Sequence, residues 1–356
     1  MRALRWHGNK DLRIDEIPEP ELRPGWVKVK NAWAGICGSD LHEYTVGPKN
    51  VPIEPHALTK ETVPSVLGHE FSGTIAELGP GVTDLKVGQK VAVFPVLTDG
   101  SCYWCSQDTY GLCPKWGFLG YSGYGGGMAE YVCVEREAIH IIPDNMPLDV
   151  AALVEPLAVA WHAVKVADLG PDADALVVGA GPIGIAVVHC LLAHGITSVT
   201  VTEPSPSRAE HAKNAGAAHV LNPMTEDVLE LSKQIGDGRG FHAVFDCAGV
   251  QVAFDTALAC VRGKGKIVNI AIFETPLVIK TPNIINRRSI TYVGSNIYTR
   301  GEFQEVIDAI ASGKIKNPEK MITGKVSLKD AVIDGFETLL MQKDKHVKIL
   351  IDATSG

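Results

Sequence analysis

The 356-residue sequence predicts an α/β fold that joins a β-rich domain to a doubly wound parallel sheet of six strands. Three observations carry that expectation. Residues before about 157 are rich in Gly, Pro and short β-branched runs. From there to about 295, apolar strands alternate with helical stretches. A glycine-rich turn joins the first such strand to the first such helix.

Taken in order, WVKVKNAWAGIC, EFSGTIAELG and GQKVAVFPV are each bounded by turn residues and read as strands of the first domain. DALVVGAG, SVTVTE, AAHVLN, HAVFDCAG, KIVNIA and ITYVGS then supply the six strands of the parallel sheet. After ITYVGSN the alternation gives way to a helix, RGEFQEVIDAIASGKI, a second short helix and a last strand, VKILID. With six strands already counted, these elements are expected back on the first domain. The predicted domains are therefore 1–156 with 296–356, and 157–295 between them.

A hydrophobic fraction of 46% with 21% charged residues is enough to build two packed cores, and excludes a disordered or fibrous chain. The net charge of −8 is spread along the sequence without a block of Lys and Arg, which argues against a nucleic-acid partner. MRALRWHGNKDLRIDEIPEP carries charges where a secretion signal needs an apolar run. LDVAALVEPLAVAWHAVKVA, the most apolar stretch, is interrupted by Glu155, Pro156 and His162. A cytoplasmic protein with no membrane partner is expected. Its eight cysteines then read as metal ligands and core thiols, with Cys190, Cys247 and Cys260 in the core.

ALVVGAGPIGIAVVHCLLAHG places Gly179, Gly181 and Gly184 as G-x-G-x-x-G between a strand and a helix, with Pro182 and Ile183 inside the motif. Such glycines permit a tight turn, backbone approach to a pyrophosphate and close helix packing, while the helix N-terminus attracts the phosphates. Glu203 follows Gly184 by 19 residues, at the end of the next strand. Its carboxylate can accept both ribose hydroxyls and would repel a 2′-phosphate, so NAD is favoured over NADP. Arg208 could face such a phosphate instead, although a helix-face Arg beside the adenine is the plainer reading.

Three further segments group metal-ligand chemistry: GICGSDLHEY with Cys37, Ser39, Asp40 and His42; GHEFSG with His69 and Glu70; and ALVEPLAVAWHA with Glu155. One thiolate, one imidazole and one or two carboxylates make the donor mix of an open catalytic zinc. DGSCYWCSQDTYGLC adds Cys102, Cys105 and Cys113 at metal-lobe spacing, with three cysteines where a closed tetrahedral site needs four ligands.

Over nearly its whole length the chain resembles the zinc-containing medium-chain alcohol dehydrogenases, and among them the (R,R)-2,3-butanediol dehydrogenase branch. The resemblance rests on GICGSDLHEYTVGP, GHEFSG, YSGYGGGMAEY, LDVAALVEPLAVAWHAVK and VVGAGPIG. It implies a GroES-like catalytic domain plus a Rossmann domain, homodimers or homotetramers, and a catalytic zinc on Cys37, His69 and Glu155. Glu70 would exchange with water or serve as the third ligand in place of Glu155. Ser39 resembles the first hydroxyl of a proton relay and His42 its terminal base, so that an alcohol acidified by the metal can lose its proton and pass a hydride to the nicotinamide.

Related enzymes hold a structural zinc in a C-x2-C-x2-C-x7-C lobe. Here Asp99 takes the first position before Cys102, Cys105 and Cys113, and an Asp of equal charge is an acceptable replacement. Two zincs per chain are expected, the alternative being an empty lobe. The implied substrate is a vicinal diol, 2,3-butanediol, oxidised reversibly to acetoin, with diacetyl reduced at the same site. Sorbitol or another secondary alcohol is the alternative within the family, and a zinc-free quinone-type reductase or a non-catalytic nucleotide-binding protein the alternative outside it. Tyr44, Trp116, Phe118 and Leu119 are candidate pocket walls.

Overall fold

A computed structural model describes residues 1–235 and 238–355. The chain divides into two compact units, one formed by Met1–Glu155, Tyr298–Ala311 and Ile322–Gly356, the other by Pro156–Ile297 and Ser312–Met321. Residues Ser312–Met321, expected with the first domain, belong to the second because their short helical turn Pro318–Met321 packs on the helices Pro182–Ala193 and Pro206–Ala215. Sequence periodicity cannot assign so short a turn to a neighbour.

In the first unit the central sheet runs Ile139–Ile141, Lys90–Val93, Glu70–Leu78, Trp26–Gly35, Lys348–Asp352 and Ile322–Ser327, and Tyr131–Glu135 also pairs with Trp26–Gly35. The antiparallel register sets Gly35 opposite both Glu70 and Leu350. Three segments far apart in sequence thus meet at one strand end. Val27, Val29, Phe71, Ile75, Val91 and Leu350 alternate inward along these strands and are almost fully buried, the period-two pattern of sheets with a covered face. The strand Ile322–Ser327, which the sequence reading did not anticipate, has no buried position, with Lys325 exposed, and an interior glycine.

In the second unit six parallel strands stand in the order His219–Leu221, Ser198–Thr202, Asp174–Val178, Phe241–Asp246, Val261–Asn269 and Thr291–Gly294. This is the doubly wound arrangement with its switch point beside the first strand, as the alternation of segments predicts. Asp174–Val178 is buried at all five positions, which requires cover on both faces. Phe241, Val244, Phe254, Val261 and Ile267 build the core on one side. Cys190 and Cys260 are core thiols as expected, whereas Cys247 is only partly covered. Among the described residues no helix is long and apolar enough to cross a membrane.

Candidate active site and metal centres

Cys37 ends the loop after Trp26–Gly35 and caps the helix Gly38–Val46. Its backbone N–H donates to Asp40 Oδ2 at 2.8 Å. That reciprocal cap fixes the thiol and the following Ser39 relative to the strand end. His69 and Glu70 sit where the neighbouring strand begins, and the Gly35–Glu70 register carries them to the same place. The ligand atoms of Cys37, His69 and Glu70 all lie within 4.8 Å of one another.

Glu155, which the resemblance implies as a ligand, is outside that trio but buried in the same unit. Its Oε1 accepts the hydroxyl of Tyr298 at 2.7 Å. Burial pushes its carboxyl up to about 7, against the opposing charge of His69. Glu70 is held differently: Lys348 Nζ donates to its two oxygens at 2.7 and 2.6 Å and to Ile36 O at 3.1 Å. Burial alone would push the Lys348 ammonium down, but Glu70 and Cys37 beside it raise it above its ordinary value. Glu70 is therefore charge-compensated, while Glu155 has a neutral partner and retains acceptor capacity.

The same imbalance appears at His69. Burial would lower its pKa, yet Asp40, Cys37 and Glu155 around it raise it to about 10. Its Nδ1 lies 3.7 Å from Asp40 Oδ1 and makes no hydrogen bond. A half-buried thiol, a buried imidazole with an unbonded nitrogen and a buried, uncompensated carboxyl fit a divalent zinc ion.

Ser39 is half-buried, two residues past Cys37, and receives a partner the sequence did not suggest: Tyr121 Oη lies 2.8 Å from Ser39 Oγ and 2.8 Å from Asp40 Oδ1. His42 is one turn further along the helix and partly buried. Phe118 presents its ring edge to His69 at 5.5 Å, and Trp116, 41% exposed, stands edge-on to Phe118. Leu119 is buried. Tyr44 instead packs against Phe336 and donates to Glu337 Oε1 at 2.5 Å.

A second metal-ligand group joins Asp99, Cys102, Cys105 and Cys113, whose ligand atoms also lie within 4.8 Å of one another. Asp99 Oδ1 accepts the backbone N–H of Ser101 and of Cys102, both at 3.0 Å, and these donors hold its carboxyl at about 2. Cys102 Sγ and Cys105 Sγ are 3.5 Å apart, as are Cys105 Sγ and Asp99 Oδ1. An ionised carboxylate converging with three thiols fits a four-coordinate zinc. Cys133, in the strand Tyr131–Glu135, is buried with its Sγ toward Pro20 O and stays apart from this group.

In the second unit Gly179 takes φ +97 directly after the strand, and Gly181 caps the helix Pro182–Ala193, with Pro182 in its first turn and Ile183 beside it. A Cβ on Gly184 would stand 1.9 Å from Gly179 O, so only glycine allows this turn to close on its helix. A Cβ on Gly181 would meet nothing within 4 Å. That open space at a helix N-terminus fits a pyrophosphate. Glu203 is buried, its Oε2 accepting Ala180 N–H at 2.8 Å and its Oε1 accepting Ser205 N–H at 2.9 Å. Each oxygen keeps a lone pair for a ribose hydroxyl. Arg208 is partly buried in the first turn of Pro206–Ala215, its N–H toward Ser205 Oγ.

Residues 23–144 match the alcohol dehydrogenase GroES-like domain, and residues 182–312 match the zinc-binding dehydrogenase family. The (R,R)-butanediol dehydrogenase of Bacillus subtilis is 41% identical, with 99% of each chain covered. The sorbitol dehydrogenase of the same organism is 33% identical over 99% of this chain and 97% of its own. The crystal structure of 2R,3R-butanediol dehydrogenase from Bacillus subtilis superposes with a TM-score of 0.91 at 39% identity, covering 99% of both chains. The chain belongs to the zinc-binding alcohol dehydrogenase family.

Proposed function

We propose that the protein catalyses reversible, NAD-dependent oxidation of a vicinal diol, (R,R)-2,3-butanediol to acetoin, and reduces diacetyl at the same site. One observation carries the reading: the half-buried Cys37 thiol converges with the buried His69 imidazole and Glu70 carboxylate, two residues before Ser39, in a chain 41% identical to a butanediol dehydrogenase. Zinc held by Cys37, His69 and Glu155 would supply Lewis acidity, and NAD the hydride acceptor.

The chain's own residues do the rest. Ser39 takes the substrate's hydroxyl proton and His42 passes it toward solvent. Glu70, which converges with Cys37 and His69 but is neutralised by Lys348, would exchange with water as a ligand, and Phe118 with Trp116 gives the carbon skeleton an apolar wall. Gly181 leaves room for the pyrophosphate, Glu203 receives the ribose hydroxyls and excludes a 2′-phosphate, and Arg208 flanks the adenine. Asp99, Cys102, Cys105 and Cys113 hold a second zinc that fixes their loop.

We further infer a homodimer or homotetramer in the cytoplasm. Thr291–Gly294 is a sheet edge whose second side is unpaired among the described residues. A second copy could pair with that edge. The eight free cysteines suit a reducing compartment.

The test is a panel of diols and polyols assayed with NAD and with NADP, alongside metal analysis. Highest kcat/KM for (R,R)-2,3-butanediol with NAD supports the reading. Preference for sorbitol would move the enzyme to the polyol branch, and full activity after complete zinc removal would overturn the mechanism.

A further inference from the structure

We propose that Tyr121 is a positioning residue for proton transfer, aiming the Ser39 hydroxyl so that it offers a lone pair to the substrate. The inference rests on the reading of Ser39 as the first proton acceptor. Nothing in the sequence pattern connects position 121 with position 39, and the pairing exists only because the Gly117–Gly127 loop folds over the start of the helix Gly38–Val46.

Proton bookkeeping gives the direction. Tyr121 Oη lies 2.8 Å from both Ser39 Oγ and Asp40 Oδ1, and a phenol has one proton to give. Asp40 Oδ2 already receives the Cys37 N–H, and its Oδ1 faces Tyr121 Oη and, at 3.7 Å, His69 Nδ1, so both oxygens are placed as acceptors. The Tyr121 proton therefore goes to Asp40 Oδ1. Tyr121 Oη is left as an acceptor, and the group placed to donate to it is the Ser39 hydroxyl. With its hydrogen turned toward Tyr121, Ser39 presents lone pairs away from the loop. A proton arriving at Ser39 Oγ displaces the original one, which leaves toward His42, so the Ser39 hydroxyl must turn away from Tyr121 and return to it in each turnover.

The tyrosine is held firmly enough to do this. It is 4% exposed, and its ring lies 5.0 Å from that of His69. Its turn is closed by Ser122 N–H to Phe118 O at 2.8 Å, Phe118 N–H to Ser122 Oγ at 3.1 Å and Gly120 N–H to Gly125 O at 2.7 Å, with Thr59 Oγ1 donating to Ser122 O. Rotation of the ring is blocked by packing, so Oη stays where Ser39 can find it.

The experiment is a double-mutant cycle of Tyr121→Phe and Ser39→Ala in the zinc-loaded protein. It reads kcat, KM, the solvent deuterium isotope effect, zinc content and melting temperature. Tyr121→Phe keeps the ring against His69 and removes only Oη. The expected result is a fall in kcat of about tenfold, the loss of one oriented hydrogen bond. KM and zinc content stay unchanged, and the isotope effect on kcat rises. Added to Ser39→Ala, the same change alters kcat by less than about twofold, because its effect passes through Ser39.

Full additivity with Ser39→Ala, or loss of zinc from Tyr121→Phe, overturns the proposal by showing that Tyr121 works through Asp40 and the ligand shell. Unchanged kcat and isotope effect in Tyr121→Phe, with Ser39→Ala impaired, overturns it while leaving the relay intact. Unchanged kcat in Ser39→Ala removes the relay reading itself.

Discussion

Replacing Lys348 with Met tests how the buried charges of the active centre are balanced. Lys348 and Glu70 side chains are each 1% exposed, and the ammonium makes all its bonds, at 2.6, 2.7 and 3.1 Å, inside the protein. Met fills nearly the same volume, so the packing loss is small. The dominant effect is a Glu70 carboxylate left buried without a counter-charge, which costs about 3–5 kcal/mol. With a urea slope of about 3 kcal/mol/M for a unit of this size, the unfolding midpoint of the zinc-free protein should fall by about 1–1.7 M.

Tryptophan emission reports mainly on this unit, because five of the six tryptophans (Trp6, Trp26, Trp33, Trp104 and Trp116) lie in it and only Trp161 in the other. Adding Glu70→Gln to Lys348→Met should recover most of the loss, since removing both charges of a buried pair is close to neutral. A midpoint within about 0.2 M of wild type for Lys348→Met alone would refute the reasoning. It would mean that water or another cation compensates Glu70.

Gly181→Ala should fold with unchanged melting temperature, because its Cβ meets nothing within 4 Å, yet raise the KM for NAD on the order of tenfold by intruding on the pyrophosphate space; an unchanged KM would place the phosphates elsewhere. Asp99→Ala should reduce zinc from two ions per chain to one and lower the melting temperature, with Asp99→Cys retaining both, as read by metal analysis. Retention of both ions in Asp99→Ala would make that residue a turn former only. His189 is buried with its Nε2 unbonded, and burial lowers its pKa to about 4. Between its ordinary value near 6.5 and 4 the unfolded chain binds the proton and the folded one does not. Stability should therefore be complete above about pH 6.5 and fall by up to ~3 kcal/mol as the pH drops toward 4. His189→Gln should flatten urea midpoints between pH 7.5 and 5 relative to wild type, and parallel profiles would contradict this.

The doubly wound sheet was legible in the sequence because each of its strands is a short apolar run closed by a turn, and its pairing follows chain order with one reversal. The glycine turn and Glu203 were legible for the same reason: the spacing is local, and the backbone geometry demands those residues. Cys37, Ser39, His69, Glu155 and the Asp99 lobe could be named as candidates because ligand chemistry restricts residue type at each position. The strand Ile322–Ser327 was missed, as its side chains are neither clearly apolar nor alternating and its neighbour Lys348–Asp352 does the ordering.

What separates Glu70 from Glu155 is not local. The answer depends on Lys348, 278 residues from Glu70 and brought beside it by the pairing of the last strand with Trp26–Gly35, and on Tyr298, 143 residues from Glu155. A lysine inside the apolar run VKILID was the only trace of the first, and nothing marked the second. The same holds for Tyr121 and Ser39. Sequence by itself determined which donors are present and which backbone turns can form, since both follow from residue type and short spacing. Tertiary structure alone decided which donor is compensated and which way a hydroxyl points, because electrostatics and hydrogen bonding depend on distances that only long-range strand pairing and loop packing set.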